Sequence, residues 1–169
     1  MTNLTIAKFG GSAIGLDGES IPQIVNRINN LKINSKLISV FSAPLTIHGG
    51  KKRSLTDIIL EQGKNAENGI IPTLETVKAS YQKIIQLVNE ENKENCQKVI
   101  DAYLKKAQKA LDDALENKEF IDETRSRALA FSGEILMSHV MNHILRLSLI
   151  HISEPTRRTP ISYAVFCLK

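Results

Sequence analysis

Apolar positions change their period twice near the N-terminus. Leu4–Phe9 is a short, mostly apolar run that ends at Gly10-Gly11, the pattern of a buried strand closed by a tight turn. From Ile21 the spacing turns helical. Ile21, Ile24, Val25, Ile28 and Leu31 share one face, Ser20 is placed to cap the helix, and Pro22 sits in its first turn. Lys36–Phe41 is again a strand pattern. Strand, glycine turn, helix and strand predict a βαβ unit, and so a parallel sheet covered by helices.

After Lys36–Phe41 the helical period dominates. Pro44–Arg53 is expected to be a loop. Ser54–Gln62 predicts a short helix with Leu55, Ile58 and Ile59 on its inner side and Gly63 as its stop. Leu74, Val77, Tyr81, Ile84, Ile85 and Val88 mark one long helix, and Val99, Ile100, Tyr103, Leu104, Leu111 and Leu115 another. These two are expected to form a hairpin around Asn92–Asn95. A last helical region runs from about Asp122 to Leu145. The apolar stripes have the spacing of core positions rather than of a cofactor box. The sequence shows no internal repeat and no low-complexity segment.

Composition narrows the possible functions. At 169 residues the chain is one domain or part of a larger one, and its 42% apolar and 24% charged residues are ordinary for a soluble globular protein. The net charge is +4, and half of it comes from Arg157, Arg158 and Lys169 against Glu154. The balance on residues 1–146 is too small to argue for a nucleic-acid or membrane partner. Lys51-Lys52-Arg53 is the only compact basic run, too short for a polyanion-binding patch and expected to be a solvated loop. Cys96 and Cys167 give no disulfide framework, which favours a reducing cytoplasm. No signal peptide is expected, and the first apolar run is too short to span a bilayer. His139 and His143 stand four apart, a spacing that can place two ligands on one metal. No third ligand or HExxH pattern accompanies them, so they are taken as ordinary helix residues and no metal site is assigned. Cys96 has no basic or histidine neighbour to activate it as a nucleophile.

The last segment, Leu147–Lys169, resembles the translation of a transposase-type sequencing adapter read through at the end of a DNA insert. One constant stretch accounts for Leu147–Arg157, a sample index for Arg158-Thr159-Pro160, and a second constant stretch for Ile161–Leu168, all in one frame. Residues 147–169 are therefore expected to be a non-native tail. The competing reading is a natural β-hairpin, because Ile161–Leu168 has the composition of a strand. On the adapter reading, His151, Cys167 and the two arginines carry no functional weight.

The strongest chemical signal is Lys8-Phe9-Gly10-Gly11-Ser12. Glycines just after a strand let the backbone approach a ligand, and consecutive amides there can cradle phosphate oxygens. A helix starting nearby would add the positive end of its dipole. Lys8 would supply a full charge and Ser12 a hydroxyl. The same residues also fit an ordinary βα turn with a surface lysine. They do not form a Walker loop, which needs a longer glycine spacing and a following Lys-Ser/Thr pair.

That opening resembles the aspartokinases of the amino-acid kinase family. Val40-Phe41-Ser42-Ala43 resembles the family's strand followed by Ser-Ala. Ser54-Leu55-Thr56-Asp57 resembles its Thr-Asn segment, and Phe131-Ser132-Gly133-Glu134-Ile135-Leu136-Met137-Ser138 its Gly-Glu segment. A long helical insertion lies between the last two, in the aspartokinase style. The motifs occur in order and cover nearly all of residues 1–146. The resemblance implies an α/β fold, a partial amino-acid-kinase-like parallel sheet with flanking helices and a long helical insertion. It also implies truncation before the half that holds adenine and the Mg²⁺-phosphate contacts. The implied reaction is ATP plus L-aspartate to 4-phospho-L-aspartate, the first step towards lysine, threonine and methionine. ATP and Mg²⁺ would be the cofactors and L-aspartate the partner, with no nucleic acid or membrane. The parent enzyme would be cytoplasmic and homo-oligomeric, with ACT domains or a fused homoserine dehydrogenase beyond the kinase part.

Site roles follow residue by residue from the resemblance. Lys8, Gly10, Gly11 and Ser12 would hold the nucleotide phosphates, with Lys8 offsetting charge on the transferring group. Ser42 and Thr56 would position aspartate, and Glu134 would grip its α-ammonium. Thr46 is the alternative to Thr56, because Pro44–Arg53 is longer than in the commoner bacterial pattern. Thr56 is preferred because an apolar helix follows it. Asp57 stands where many relatives have asparagine, and Phe131-Ser132 departs from the usual Ser-x before Gly-Glu. Taken alone, Glu134 is also what an exposed helix-start glutamate looks like. Two other readings stay open. One is another family member, acting on acetylglutamate or carbamate. The other is a non-catalytic interaction module built from the helices of residues 72–118. On the aspartokinase reading this chain by itself is expected to be inactive. It is also expected to be unstable or aggregating, because half a parallel sheet exposes a strand edge.

Overall fold

The computed structural model describes residues 4–145 and 167–168. β1 (Leu4–Phe9) and β2 (Lys36–Phe41) pair in parallel, with Leu4 beside Lys36 and Phe9 beside Phe41. The two phenylalanine rings stack with centroids 5.5 Å apart. Between the strands come a single helical turn, α1 (Gly11–Ile14), and the crossover helix α2 (Ile21–Asn34). α2 buries Ile21, Ile24 and Ile28, the face that the helical spacing predicts. Ser20 does occupy the N-cap position, yet its hydroxyl makes no capping bond. β5 (Cys167–Leu168) lies antiparallel to β2, through Ile38–Leu168 and Ser39–Cys167, so the sheet order is β1-β2-β5. The rest of the adapter-like tail lies outside the described residues. The fold is α/β, a short parallel sheet with flanking helices.

Several local expectations are corrected. Pro44–Arg53 is not a loop. It holds most of a β-hairpin, β3 (Leu45–His48) and β4 (Lys51–Ser54), turning at Gly49-Gly50. Both glycines have positive φ, 57° and 73°, as a tight two-residue hairpin turn requires. Lys51-Lys52-Arg53 therefore lies on a strand, and Arg53 pairs with Glu61. α3 (Leu55–Glu67) starts with Ser54 accepting from the Asp57 amide at 3.1 Å. It then runs past Gly63, which was expected to stop it. A Cβ on Gly63 would lie 2.1 Å from the Phe120 ring, so this glycine makes room for an aromatic side chain instead.

Next come α4 (Glu75–Ile84), a 3₁₀ turn over Ile85–Leu87, and α5 (Glu90–Asn117). The break falls at Val88-Asn89 rather than Asn92–Asn95, which are inside α5. Asn89 caps α5 by accepting from the Asn92 amide at 3.1 Å. The last helical region is two helices, α6 (Asp122–Ser132) and α7 (Glu134–Leu145), parted by Gly133.

α3, α5, α6 and α7 pack into a bundle, and α2 and α7 both contact β2. Among the largest fully buried side chains of the described residues, only Phe41 belongs to a strand. Each buried aliphatic or aromatic side chain contributes about 1.5–3 kcal/mol. The helices therefore supply most of the stability, and the sheet serves to place its own ends. No helix among the described residues is long and apolar enough to cross a membrane.

Gly63 gives a direct test of this packing. Alanine favours a helix interior by about 1 kcal/mol over glycine, whereas an added carbon in a filled core costs about 1–3 kcal/mol. The 2.1 Å approach of the ring puts this site at the costly end. Gly63→Ala is expected to lower stability by about 1 kcal/mol or more, read as a lower denaturant midpoint. A raised midpoint would show that Phe120 does not pack there.

Candidate active site

The glycine turn is built by β1 ending at Phe9. The Gly10 carbonyl accepts from the amides of Ala13 and Ile14 at 2.9 and 3.0 Å, which closes α1. Gly11 and Ser12 open that turn, where backbone N–H groups have no intrahelical acceptor. The side of Gly10 where a Cβ would point has no atom within 4 Å, so this backbone is open. Gly11 is the opposite case, since a Cβ there would lie 2.7 Å from the Ala43 carbonyl oxygen. Lys8 and Ser12 are exposed.

The segment after β2 clamps this turn. The Ser42 amide donates to the Phe9 carbonyl at 3.0 Å, Leu45 to Gly15 at 3.2 Å, and Asp17 to Leu45 at 2.7 Å. The Asp17 carboxylate then meets Lys83 of α4, Oδ2 to Nζ at 2.6 Å. Burial raises the Asp17 pKa, but Lys83 and the Thr46 and Ser80 hydroxyls outweigh it and hold the carboxyl below its ordinary value. Its Oδ1 nevertheless has no partner within hydrogen-bonding distance. Thr46 is thus a buried residue facing Asp17.

The acidic side of the site is set by the break between α6 and α7. A Cβ on Gly133 would lie 2.8 Å from the Leu129 carbonyl oxygen and 3.5 Å from the Ala43 Cβ. Only glycine fits that approach. The Tyr81 hydroxyl of α4 lies 3.1 Å from both the Ser132 and Gly133 carbonyls. Burial pushes the Tyr81 pKa far up, so the hydroxyl stays a neutral donor. Glu134 follows directly, at the start of α7.

A pocket of about 320 Å³ opens beside it, lined by Thr56, Arg125, Ser126, Leu129, Ala130 and Glu134. Glu134 is half-buried. Burial raises its pKa, and the charge of Lys8 acts in the opposite direction. The structure thus brings the carboxylate into the field of Lys8, and Ala43 touches both the glycine turn and the Gly133 break. Thr56 shares the pocket with Glu134. Lys8, Gly10, Gly11, Ser12, Ser42 and Thr46 are not among its lining residues, although Ser42 immediately precedes Ala43.

Sequence reasoning missed Arg125 and Ser126 and counted Tyr81 as core alone. Arg125 could have been found from helical spacing, since it falls four residues before Leu129 on one face of α6. Away from the site, His139 Nε2 lies 2.8 Å from the Tyr103 hydroxyl, and burial lowers its pKa with help from Lys106. Burial in α5 pushes the Cys96 thiol up to about 11. Among the described residues, no group of three His, Cys, Asp or Glu side chains could hold a metal ion.

Compared with known families, residues 3–159 match the model of the amino acid kinase family. The matched span continues past residue 146 into the adapter-like segment. No curated protein matches the chain.

Two outcomes follow from the geometry. Because burial raises the Glu134 pKa from the ordinary 4.5, the folded state holds the ionised carboxylate less readily than the unfolded chain does. That penalty is absent at acid pH, where the group is protonated in both states. It develops as pH rises through 4.5 and past the higher folded-state value. Glu134→Gln is therefore expected to melt with the wild type at low pH and above it at pH 7; thermal melts across that range read this directly. Tyr81→Phe removes the donor from two buried carbonyls and is expected to lower stability by about 1–2 kcal/mol, measured by urea denaturation. An unchanged midpoint would show that these carbonyls find another donor.

Proposed function

The chain belongs to the amino acid kinase family, and from that premise we propose that it carries the acceptor and phosphate sites of an ATP-dependent aspartate kinase. Family membership makes the protein a phosphotransferase. The observation that supports the finer reading is that Glu134, which shares a pocket with Thr56, feels the charge of Lys8 at the end of β1.

Each group has work that suits its surroundings. A half-buried carboxylate with raised pKa gains from a cation placed against it, and the α-ammonium of an amino acid supplies one. N-acetylglutamate and carbamate offer no such ammonium, which favours aspartate over those acceptors. The Thr56 and Ser42 hydroxyls can fix the acceptor's orientation by hydrogen bonds. The amides of Gly11 and Ser12 fit phosphate oxygens, and the open side of Gly10 admits them closely. Mg²⁺, accompanying the nucleotide, would neutralise phosphate charge, and it fits a site where phosphate oxygens rather than a cage of side chains supply its ligands. In the reaction an oxygen of the aspartate β-carboxylate attacks the γ-phosphorus of ATP. The bond to the β,γ-bridging oxygen breaks, and ADP leaves with that electron pair. Lys8 would stabilise the charge that builds on the transferring group.

A coupled assay for aspartyl phosphate tests the proposal, run on the protein as its gene encodes it and on the 169-residue chain. L-aspartate-dependent consumption of ATP is expected from the protein as its gene encodes it, and Lys8→Ala there should lower kcat by about 10²–10³-fold. Turnover with N-acetylglutamate or carbamate but not aspartate overturns the aspartate reading. Full activity in Lys8→Ala overturns the role of the glycine turn. We further propose that the 169-residue chain needs additional nucleotide-binding elements and does not turn over alone; activity in that chain refutes this part only.

A further inference from the structure

Asp17 is a carboxylate that the proposed reaction does not use. Its side chain is only 11% exposed, and its backbone is left-handed, with φ 49°. Residues other than glycine enter that region at a cost, and aspartate and asparagine enter it most readily. The Asp17 amide donates to the Leu45 carbonyl, while its carboxylate meets Lys83 and faces the Thr46 and Ser80 hydroxyls. Ser80 is buried, and its hydroxyl, like Asp17 Oδ1, has no partner within hydrogen-bonding distance. Unmet buried polar groups lower stability. Stability alone therefore gives no reason for a carboxylate at this position.

Its place in the chain gives one. α1 has four residues, too few to hold a helical turn unaided. The side of Gly10 where a Cβ would point is open, so the turn is fixed from its other end. There the Gly15 amide donates to the Gly11 carbonyl at 3.0 Å, and the Leu45 amide to the Gly15 carbonyl at 3.2 Å. Asp17 is joined to the same Leu45, and its carboxylate carries the connection on to α4. Gly18 packs directly on that helix, since a Cβ there would lie 2.9 Å from Ile84 Cγ1. The Glu134 end of the site is held by other contacts, those of Gly133 and Tyr81.

We propose that Asp17 is a positioning residue for the nucleotide: paired with Lys83, it fixes residues 15–18 on α4 and so sets where the glycine turn presents its amides. This rests on the reading that the turn holds the phosphates of ATP. It gives the helical insertion a part in nucleotide binding that is separable from its part at the acceptor pocket.

The test is steady-state kinetics of Asp17→Asn, Lys83→Gln and Lys83→Arg in the protein as its gene encodes it. Asparagine keeps the volume and tolerates the left-handed backbone, and its amide can donate to a neighbouring hydroxyl. Asp17→Asn is therefore expected to melt near the wild type. Its KM for ATP should rise about 3–10-fold, between the weak effect of a solvent-screened pair and the roughly 10²-fold loss that a misplacement of about 1 Å can bring. KM for L-aspartate should stay near wild type. Lys83→Gln alters the exposed partner and should raise KM for ATP in the same way, while Lys83→Arg keeps the pair and should not. The two Lys83 variants decide the matter if Asp17→Asn does not fold. An unchanged KM for ATP in Asp17→Asn and Lys83→Gln, an equal rise for both substrates, or an Arg variant no better than the Gln variant overturns the assignment. Should Lys8→Ala also keep full activity, the role of the glycine turn fails with it; a Lys8→Ala enzyme of low activity confines the failure to Asp17.

Discussion

Two glycines pack against Ala43, Gly11 on its carbonyl oxygen and Gly133 near its methyl group, and the candidate site depends on that closeness. A side chain at Gly11 would meet backbone at 2.7 Å, and one at Gly133 would meet the Leu129 carbonyl at 2.8 Å. Neither contact can be relieved by turning a flexible side chain. The end of β1, the end of β2 and the start of α7 are thereby forced to one point. Lys8 and Glu134 share an electrostatic environment because their backbones do, although 126 positions separate them in the numbering.

The helical insertion has a part in this arrangement. Tyr81 and Lys83 both come from α4 and, two residues apart, leave the helix in different directions. Tyr81 reaches the carbonyls at the Gly133 break, and Lys83 reaches Asp17 just after the glycine turn. α4 therefore braces both halves of the site. The two links are unequal. The Tyr81 bonds are buried, and an unmet buried carbonyl costs about 1–3 kcal/mol. Lys83 is 63% exposed, and solvent screens its pair. The fixed point is the helix break that carries Glu134, and the glycine turn is held more by the backbone bonds of Phe9, Gly15 and Leu45.

Much of the fold was legible because its signals are local. β1, α2 and β2 follow from period alone, and the residues that close around Ala43 lie in short motifs. What was missed depends on partners far away in sequence. Gly63 looks like a stop until Phe120 is seen resting on it, and no spacing rule links the two. The break at Val88-Asn89 was placed several residues late, since the asparagines within α5 resemble the one that caps it. Gly49-Gly50 did carry a readable hairpin signal, but the basic residues after it suggested solvent instead of a strand. In the site, Thr46 and Thr56 could be ordered by preference only. Their difference comes from Asp17, which takes the face of β3 that Thr46 presents. Tyr81 has no local signature at all, because an apolar stripe hides a residue whose hydroxyl matters more than its ring.

Glu134 shows what such a site gives up in the absence of ligand. Burial disfavours its ionised form, and the charge of Lys8 offsets that in part while remaining exposed itself. An exposed lysine keeps its water, so it cannot satisfy the carboxylate as a close ammonium could. A ligand cation placed in the pocket would regain what folding withholds.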